Sequence, residues 1–121
     1  MLFHVTTYHD HKHCPTREGG FSSELFQNTH KWIKGSDEVK IHGAWASPTS
    51  HTSYGVIESN EMGSMVDLFK EPMLNGNVEI TPIVNLKEIQ ANVELAELSN
   101  KLLEEEKKLE RKRMNEHSSY K

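Results

Sequence analysis

Apolar residues recur at every second position in four short segments of the chain and at helical spacing in two segments between them. That ordered change of period leaves few ways to fold. Leu2 to His9 alternates, with Phe3, Val5 and Thr7 against His4, Thr6 and Tyr8. Pro15 and the pair Gly19-Gly20 then mark a loop. FSSELFQNTHKWIK predicts a helix in which Phe21, Leu25, Trp32 and Ile33 share a face, Ser22 caps and Gly35 stops the run. Val39 to Ala46 and Thr52 to Ser59 read as strands joined by the tight polar stretch SPTSH. A second helix follows, capped by Asn60 and started by Glu61, with Met62, Met65, Val66 and Phe69 as its apolar stripe. Pro72 ends or kinks it, and Asn75-Gly76 turns the chain into a last strand, Val78 to Val84. Pro82 marks that strand as an edge or a bulge. The order is β-α-β-β-α-β, the ferredoxin-like arrangement, an α+β class with an antiparallel sheet.

From Leu86 the pattern is helical alone. Ala91, Leu95, Leu98 and Leu102 keep heptad spacing, which decays at Glu105 before Leu109. Glu104 reaches Lys108 at i+4. We read residues 1–85 as one domain and residues 86–121 as a long helical extension that packs at its start, projects at its end, and frays over NEHSSYK.

The chain of 121 residues has room for one core. No apolar run approaches the roughly 20 residues of a membrane helix, and MLFHVTTYH lacks the basic start of a secretory signal. The net charge of −4 falls wholly within the first 85 residues, because the extension balances eight Lys/Arg against eight Asp/Glu. An acidic body argues against nucleic acid as a partner. One cysteine, Cys14, excludes an internal disulfide and makes a reducing cytoplasm the expected location.

Chemistry concentrates in HDHKHC, residues 9–14. In an extended segment His9, His11 and His13 point to one side and can converge on an ion, with Asp10 or Cys14 near. Imidazoles suit Zn, Cu, Ni or Co, and a thiolate favours Zn or Cu(I). The blander reading is a polar loop whose imidazoles face water. Beside Pro15, Cys14 is reactive only if the histidines lower its pKa. A second set lies on the strands. If Phe3 and Val5 face the helices, His4, Thr6 and Tyr8 line the other side. His51 opens the third strand and Tyr54 follows it. His4, Thr6, His42, His51 and Tyr54 are therefore candidate ligand-binding residues, with His4 a general base or ligand. His4 and His42 meet only if they share a face or cross a dimer; otherwise both are structural histidines bonded to carbonyls. Trp32 and Trp45 read as core. No phosphate loop, serine nucleophile elbow or zinc-ribbon spacing occurs.

MLFHVTTYH, the Cys14-Pro15 pair, IHGAW and SHTSYGVIES together resemble a family of small, functionally uncharacterised domains in the dimeric α+β-barrel superfamily. The matching residues are His4, Cys14, Pro15, His42, Gly43, Ala44, Pro48, His51 and Thr52, and the resemblance covers about residues 1 to 85. The superfamily is similar to antibiotic-biosynthesis monooxygenases and muconolactone isomerases. The resemblance implies a homodimer whose two sheets face each other, with oxygenase- or isomerase-type chemistry by analogy only. Independently, two helices cover one sheet face, and Tyr8, Tyr54 and Val56 leave the other too apolar to stay wet.

Two functions follow. In the first, a homodimeric barrel binds a small ligand or a transition metal through its histidines, with no reaction assigned. In the second, the barrel is a platform and the C-terminal helix docks a protein partner.

Overall fold

The computed structural model describes residues 1–118. The chain divides into two units, Met1–Ile83 and the segment from Val84 onward. The first unit is α+β. Its four strands are β1 (Leu2–Tyr8), β2 (Lys40–Ser47), β3 (Thr52–Glu58) and β4 (Asn77–Ile83). They form one antiparallel sheet in the order β2-β3-β1-β4. Pro82 lies on β4, an edge strand, where a missing N–H is tolerated.

Alternation along β1 and β3 sorts the two faces. Phe3, Val5 and Thr7 are buried, as are Ser53 and Ile57 on the partner strand, while His4, Thr6 and Tyr54 sit on the opposite face. Thr7 and Ser53 satisfy each other by a hydroxyl–hydroxyl bond inside the sheet's covered side. Phe3, Val5, Trp32, Val39, Ile57, Met65 and Phe69 make the core.

Trp32 is the largest of these side chains, and the sheet makes a seat for it. A Cβ on Gly55 would lie 2.9 Å from the indole and 2.9 Å from the carbonyl oxygen of Gly43. Only a glycine lets the ring lie on the strand there, with Phe69 against it at 5.0 Å between centroids. The indole Nε1 is buried without a hydrogen-bond partner among the described residues. That loss, on the order of 1–3 kcal/mol, is set against the apolar area the ring removes from water.

The connection carrying Trp32 is not one continuous helix. A turn at Gly20–Ser22 precedes α1 (Glu24–Thr29), and a further 3-10 turn covers Lys31–Lys34. Ser23, rather than Ser22, caps α1: its Oγ accepts from the N–H of Phe26 at 3.1 Å. The break at His30 abandons the helical face expected of Phe21, Leu25, Trp32 and Ile33. Trp32 is buried, whereas Phe21 and Ile33 are exposed. Gly35, at φ 69°, ends the turn.

The second crossover is also split, into α2 (Met62–Leu68) and α3 (Lys70–Asn75). Pro72 has no N–H to give to the preceding turn, and in a continuous helix its ring would crowd the carbonyl of Leu68; the helix breaks at Phe69. Glu61 caps α2 with its own carboxylate on the N–H of Gly63 at 3.3 Å. Asn60 instead accepts from the N-terminal amine. Met65 and Phe69 are buried; Met62 and Val66 are exposed.

β2 carries a bulge between Ile41 and Gly43, which leaves His42 without an opposite residue. The extra residue resets the alternation. Ile41 and Ala44 pack towards the core, and Trp45, paired with Tyr54, is turned outward at 55% exposure. Trp45 is therefore not a core residue. Its indole lies where a Cβ on Gly43 would be, 2.3 Å from one ring carbon.

In the second unit, α4 (Leu86–Ser118) starts at Asn85, whose Oδ1 accepts from the N–H groups of Lys87 and Glu88. Leu95, Leu98, Leu102 and Leu109 are exposed on it. Glu104 pairs with Lys107 at 4.0 Å, one residue short of the expected Lys108. The helix continues through Asn115–Ser118, so the expected fraying does not begin there; residues 119–121 lie outside the described residues. Among the described residues, no helix is long and apolar enough to cross a membrane.

Replacing Gly55 with Ala places a methyl group against backbone as well as against Trp32. We expect the unfolding free energy in urea to fall by about 1–3 kcal/mol. An unchanged midpoint would show that the indole does not rest on this position.

Candidate metal centre

The end of β1 and the start of β3 are neighbours, since Tyr8 pairs with Thr52. The pairing extends one residue further, where the N–H of His9 donates to the carbonyl of His51 at 3.2 Å. The chain then leaves the sheet. Asp10 caps a single 3-10 turn, His11–His13, by accepting from the backbone N–H of His13 at 2.9 Å. The same carboxylate takes the Nδ1–H of His13 at 2.6 Å, which holds Asp10 below the usual carboxylate range. Cys14 follows in extended conformation, fixed by the buried Pro15 behind it. The carbonyl of Cys14 accepts from both the N–H and the guanidinium of Arg17, each at 3.1 Å.

From the other side comes the β2–β3 connection. Pro48–Ser50 forms a 3-10 turn, and His51 closes it at φ 52°, ψ 40°. It is the one non-glycine residue with positive φ among those described. Histidine tolerates this left-handed region better than most side chains, but still at some cost.

These two loops bring His9, Cys14 and His51 together. One ligand atom from each lies within 4.8 Å of the other two. His9 Nε2 and His51 Nδ1 are 3.2 Å apart. Two nitrogens at ~2.0–2.1 Å from a tetrahedral ion would stand about 3.3 Å from each other. The imidazole pair thus already has the spacing of two ligands, and Thr16 Oγ1 lies 3.1 Å from Cys14 Sγ as an outer hydrogen-bond partner. The three residues could hold a metal ion.

They border a pocket with room of about 60 Å³ inside roughly 400 Å³ of open space that includes its mouth. Pro15, Phe21, Phe26 and Pro48 supply apolar wall, and His30 closes one side. Phe26 stacks on His30 at 4.2 Å between ring centroids. The Nδ1–H of His30 donates to the carbonyl of Phe26 at 3.2 Å. Burial pushes the pKa of His30 below 6.5, against a smaller upward effect of that bond. The pKa of His9 is also below 6.5, first through burial, then through repulsion by His51 and His30, with Asp10 opposing. Both rings therefore favour the neutral form that a metal requires.

The other sequence candidates lie elsewhere. His11 is exposed with its ring 6.0 Å from that of His51, and His13 is turned to Asp10. A 3-10 turn has a period near three, so the every-second-position spacing does not align the three imidazoles. His4 and Tyr54 stack at 6.3 Å on the open sheet face, and Thr6 Oγ1 is 3.4 Å from His4 Nδ1. His42, on the bulge, donates from Nε2 to Glu58 at 2.9 Å and so holds that carboxylate below its usual range. β3 separates it from His4 on β1. His30 carried no motif in the sequence and emerges only because the break after α1 turns it into the pocket.

No family model matches the chain, and neither a curated protein nor a solved structure matches it.

The depressed pKa values of His9 and His30 give a signed expectation. Between the folded values and 6.5 the unfolded chain binds more protons, so stability is greatest above about pH 6.5 and falls as pH drops through the folded values. Asp10 and Glu58 act only lower, in the carboxylate range. Urea midpoints measured from pH 8 to pH 5 should decline for the metal-free protein and decline less for His30→Gln. A flat profile in the wild type would contradict the burial of these rings.

Proposed function

We propose that the protein binds a transition metal ion, Zn2+ or Cu+, through His9, Cys14 and His51. Two imidazoles and a thiolate suit these ions better than Ni2+, which the sequence alone also allowed. Three protein ligands leave a fourth position open, the pattern of sites that bind a further molecule. The observation that carries this reading is the convergence of three ligand atoms from two separate loops. The left-handed backbone at His51 adds to it, because glycine or asparagine would fill a plain turn at lower cost. No reaction is part of the proposal.

The scaffold is read as a ferredoxin-like unit, supported by the order β2-β3-β1-β4 with two helical crossovers. A homodimeric barrel is the matching assembly. Its support is the outward row Trp45, Tyr54 and His4, whose neighbouring rings stack at 6.4 and 6.3 Å. The family resemblance drawn from His42-Gly43-Ala44 and Pro48 to Thr52 agrees with this picture and adds no activity. A second reading rests on the exposed leucines of α4, which suit docking to another protein.

Elemental analysis of untagged protein after Zn2+ loading should give one equivalent per chain. Cys14→Ser and His51→Asn should each weaken binding by more than about tenfold, and His13→Ala should not. Asparagine also accepts the left-handed conformation, so His51→Asn should be at least as stable as the wild type. Equal zinc retention in all four proteins would refute the site.

Light scattering separates the two assemblies. The barrel reading expects a dimer that survives removal of residues 90–121 and is weakened by Trp45→Glu. Loss of assembly on that truncation alone would favour the α4 reading.

A further inference from the structure

We infer that, with Zn2+ as the proposed ion, its fourth position is filled by a small organic anion: one donor atom on a short apolar body. The inference rests on the metal reading above and goes on to name what the site takes.

Charge comes first. A divalent ion with one thiolate and two neutral imidazoles keeps a net charge of +1. Such a charge beside apolar walls is costly unless neutralised, and a singly charged donor neutralises it. Among the described residues, no Lys, Arg, Asp or Glu lines the pocket. A phosphate or a polyanion would thus bring charges that nothing on the wall meets. The Nδ1–H of His30 is not turned to such a charge, because it is committed to the carbonyl of Phe26. The ligand's charge must sit at the ion and nowhere else.

Shape comes second. Away from the three ligands the pocket presents mainly apolar wall, Pro15, Phe21, Phe26 and Pro48. The hydroxyls of Thr16, Thr52 and Ser53 on it are already bonded to Cys14, Ser50 and Thr7. An apolar body meets the four apolar side chains, and a second polar group finds few partners left, the hydroxyl of Ser47 and the far nitrogen of His30. About 60 Å³ of room, at some 10–15 Å³ per water-sized occupant, holds about four to six heavy atoms. Alkyl thiolates and short carboxylates meet all of these conditions; sugars, nucleotides and amino acids do not.

The test uses two thiols of one shape. 1-Propanethiol and 2-mercaptoethanol differ by a terminal methyl against a hydroxyl. Each is titrated anaerobically into Co2+-loaded full-length protein, and the sulfur-to-cobalt charge-transfer band is followed. We expect 1-propanethiol to bind about tenfold more tightly, although it is the weaker acid. Phe21→Ser, at an exposed position that the core does not need, should retain Co2+ and reduce the preference to below about threefold. Equal binding of the two thiols to cobalt-loaded protein would overturn the inference while leaving the metal site standing. So would an undiminished preference in Phe21→Ser. Protein that retains no Co2+ through gel filtration would overturn the site and the inference together.

Discussion

The pairing of β1 with β3 is the constraint from which the other features descend. Its register sets Val5 opposite Gly55 and Tyr8 opposite Thr52. The first pair places the glycine under Trp32 and so fixes where the indole enters the sheet. The second pair sets the strand ends level, so the loops that follow Tyr8 and precede Thr52 emerge side by side. A slip of one residue would turn Phe3, Val5 and Ile57 to the open face. It would also separate His9 from His51. Core and candidate site are thereby held by the same hydrogen-bond ladder, and the site sits at the end of the two central strands rather than on an edge strand.

Local irregularities do the positioning that regular elements cannot. The bulge at His42 turns Trp45 outward and keeps Ala44 facing the core. The break at His30 lets one short segment serve two purposes. Trp32 drops into the core, while the preceding imidazole faces the pocket with its tautomer fixed by Phe26. The left-handed His51 aims its ring across to His9 instead of along the hairpin. Each departure costs some backbone regularity, and each lies close to the core: partly buried Ile41 packs against it, Trp32 is in it, and buried Ser53 is bonded to Thr7.

Most of the architecture was legible in the residues. Alternation located the four strands to within a residue or two, and Pro82 marked an edge, because period and proline act locally. The sites were less legible because they depend on exceptions to period. HDHKHC reads as extended, whereas the Asp10 cap winds it into a 3-10 turn and the cluster takes in neither His11 nor His13. His51 reads as a ligand-binding residue of the strand set and not as a metal ligand, since its place beside His9 follows only from the β1–β3 register. Trp45 reads as core, and one inserted residue turns it outward. Ser22 and Asn60 read as caps where Ser23 and Glu61 act, a one-residue displacement that backbone geometry decides and composition does not.

The spacing of His9 and His51 bears on what such a pair can hold. Two imidazole nitrogens lie 3.2 Å apart and face each other. Burial and repulsion by the neighbouring rings push His9 below its ordinary value. Two neutral rings meet without conflict when one presents its N–H to the other's lone pair. A metal ion held by both nitrogens would need both lone pairs, so that proton would have to move to the other nitrogen of its own ring. Loading such a pair would then call for a tautomer shift within neutral rings rather than the loss of a proton from a charged one.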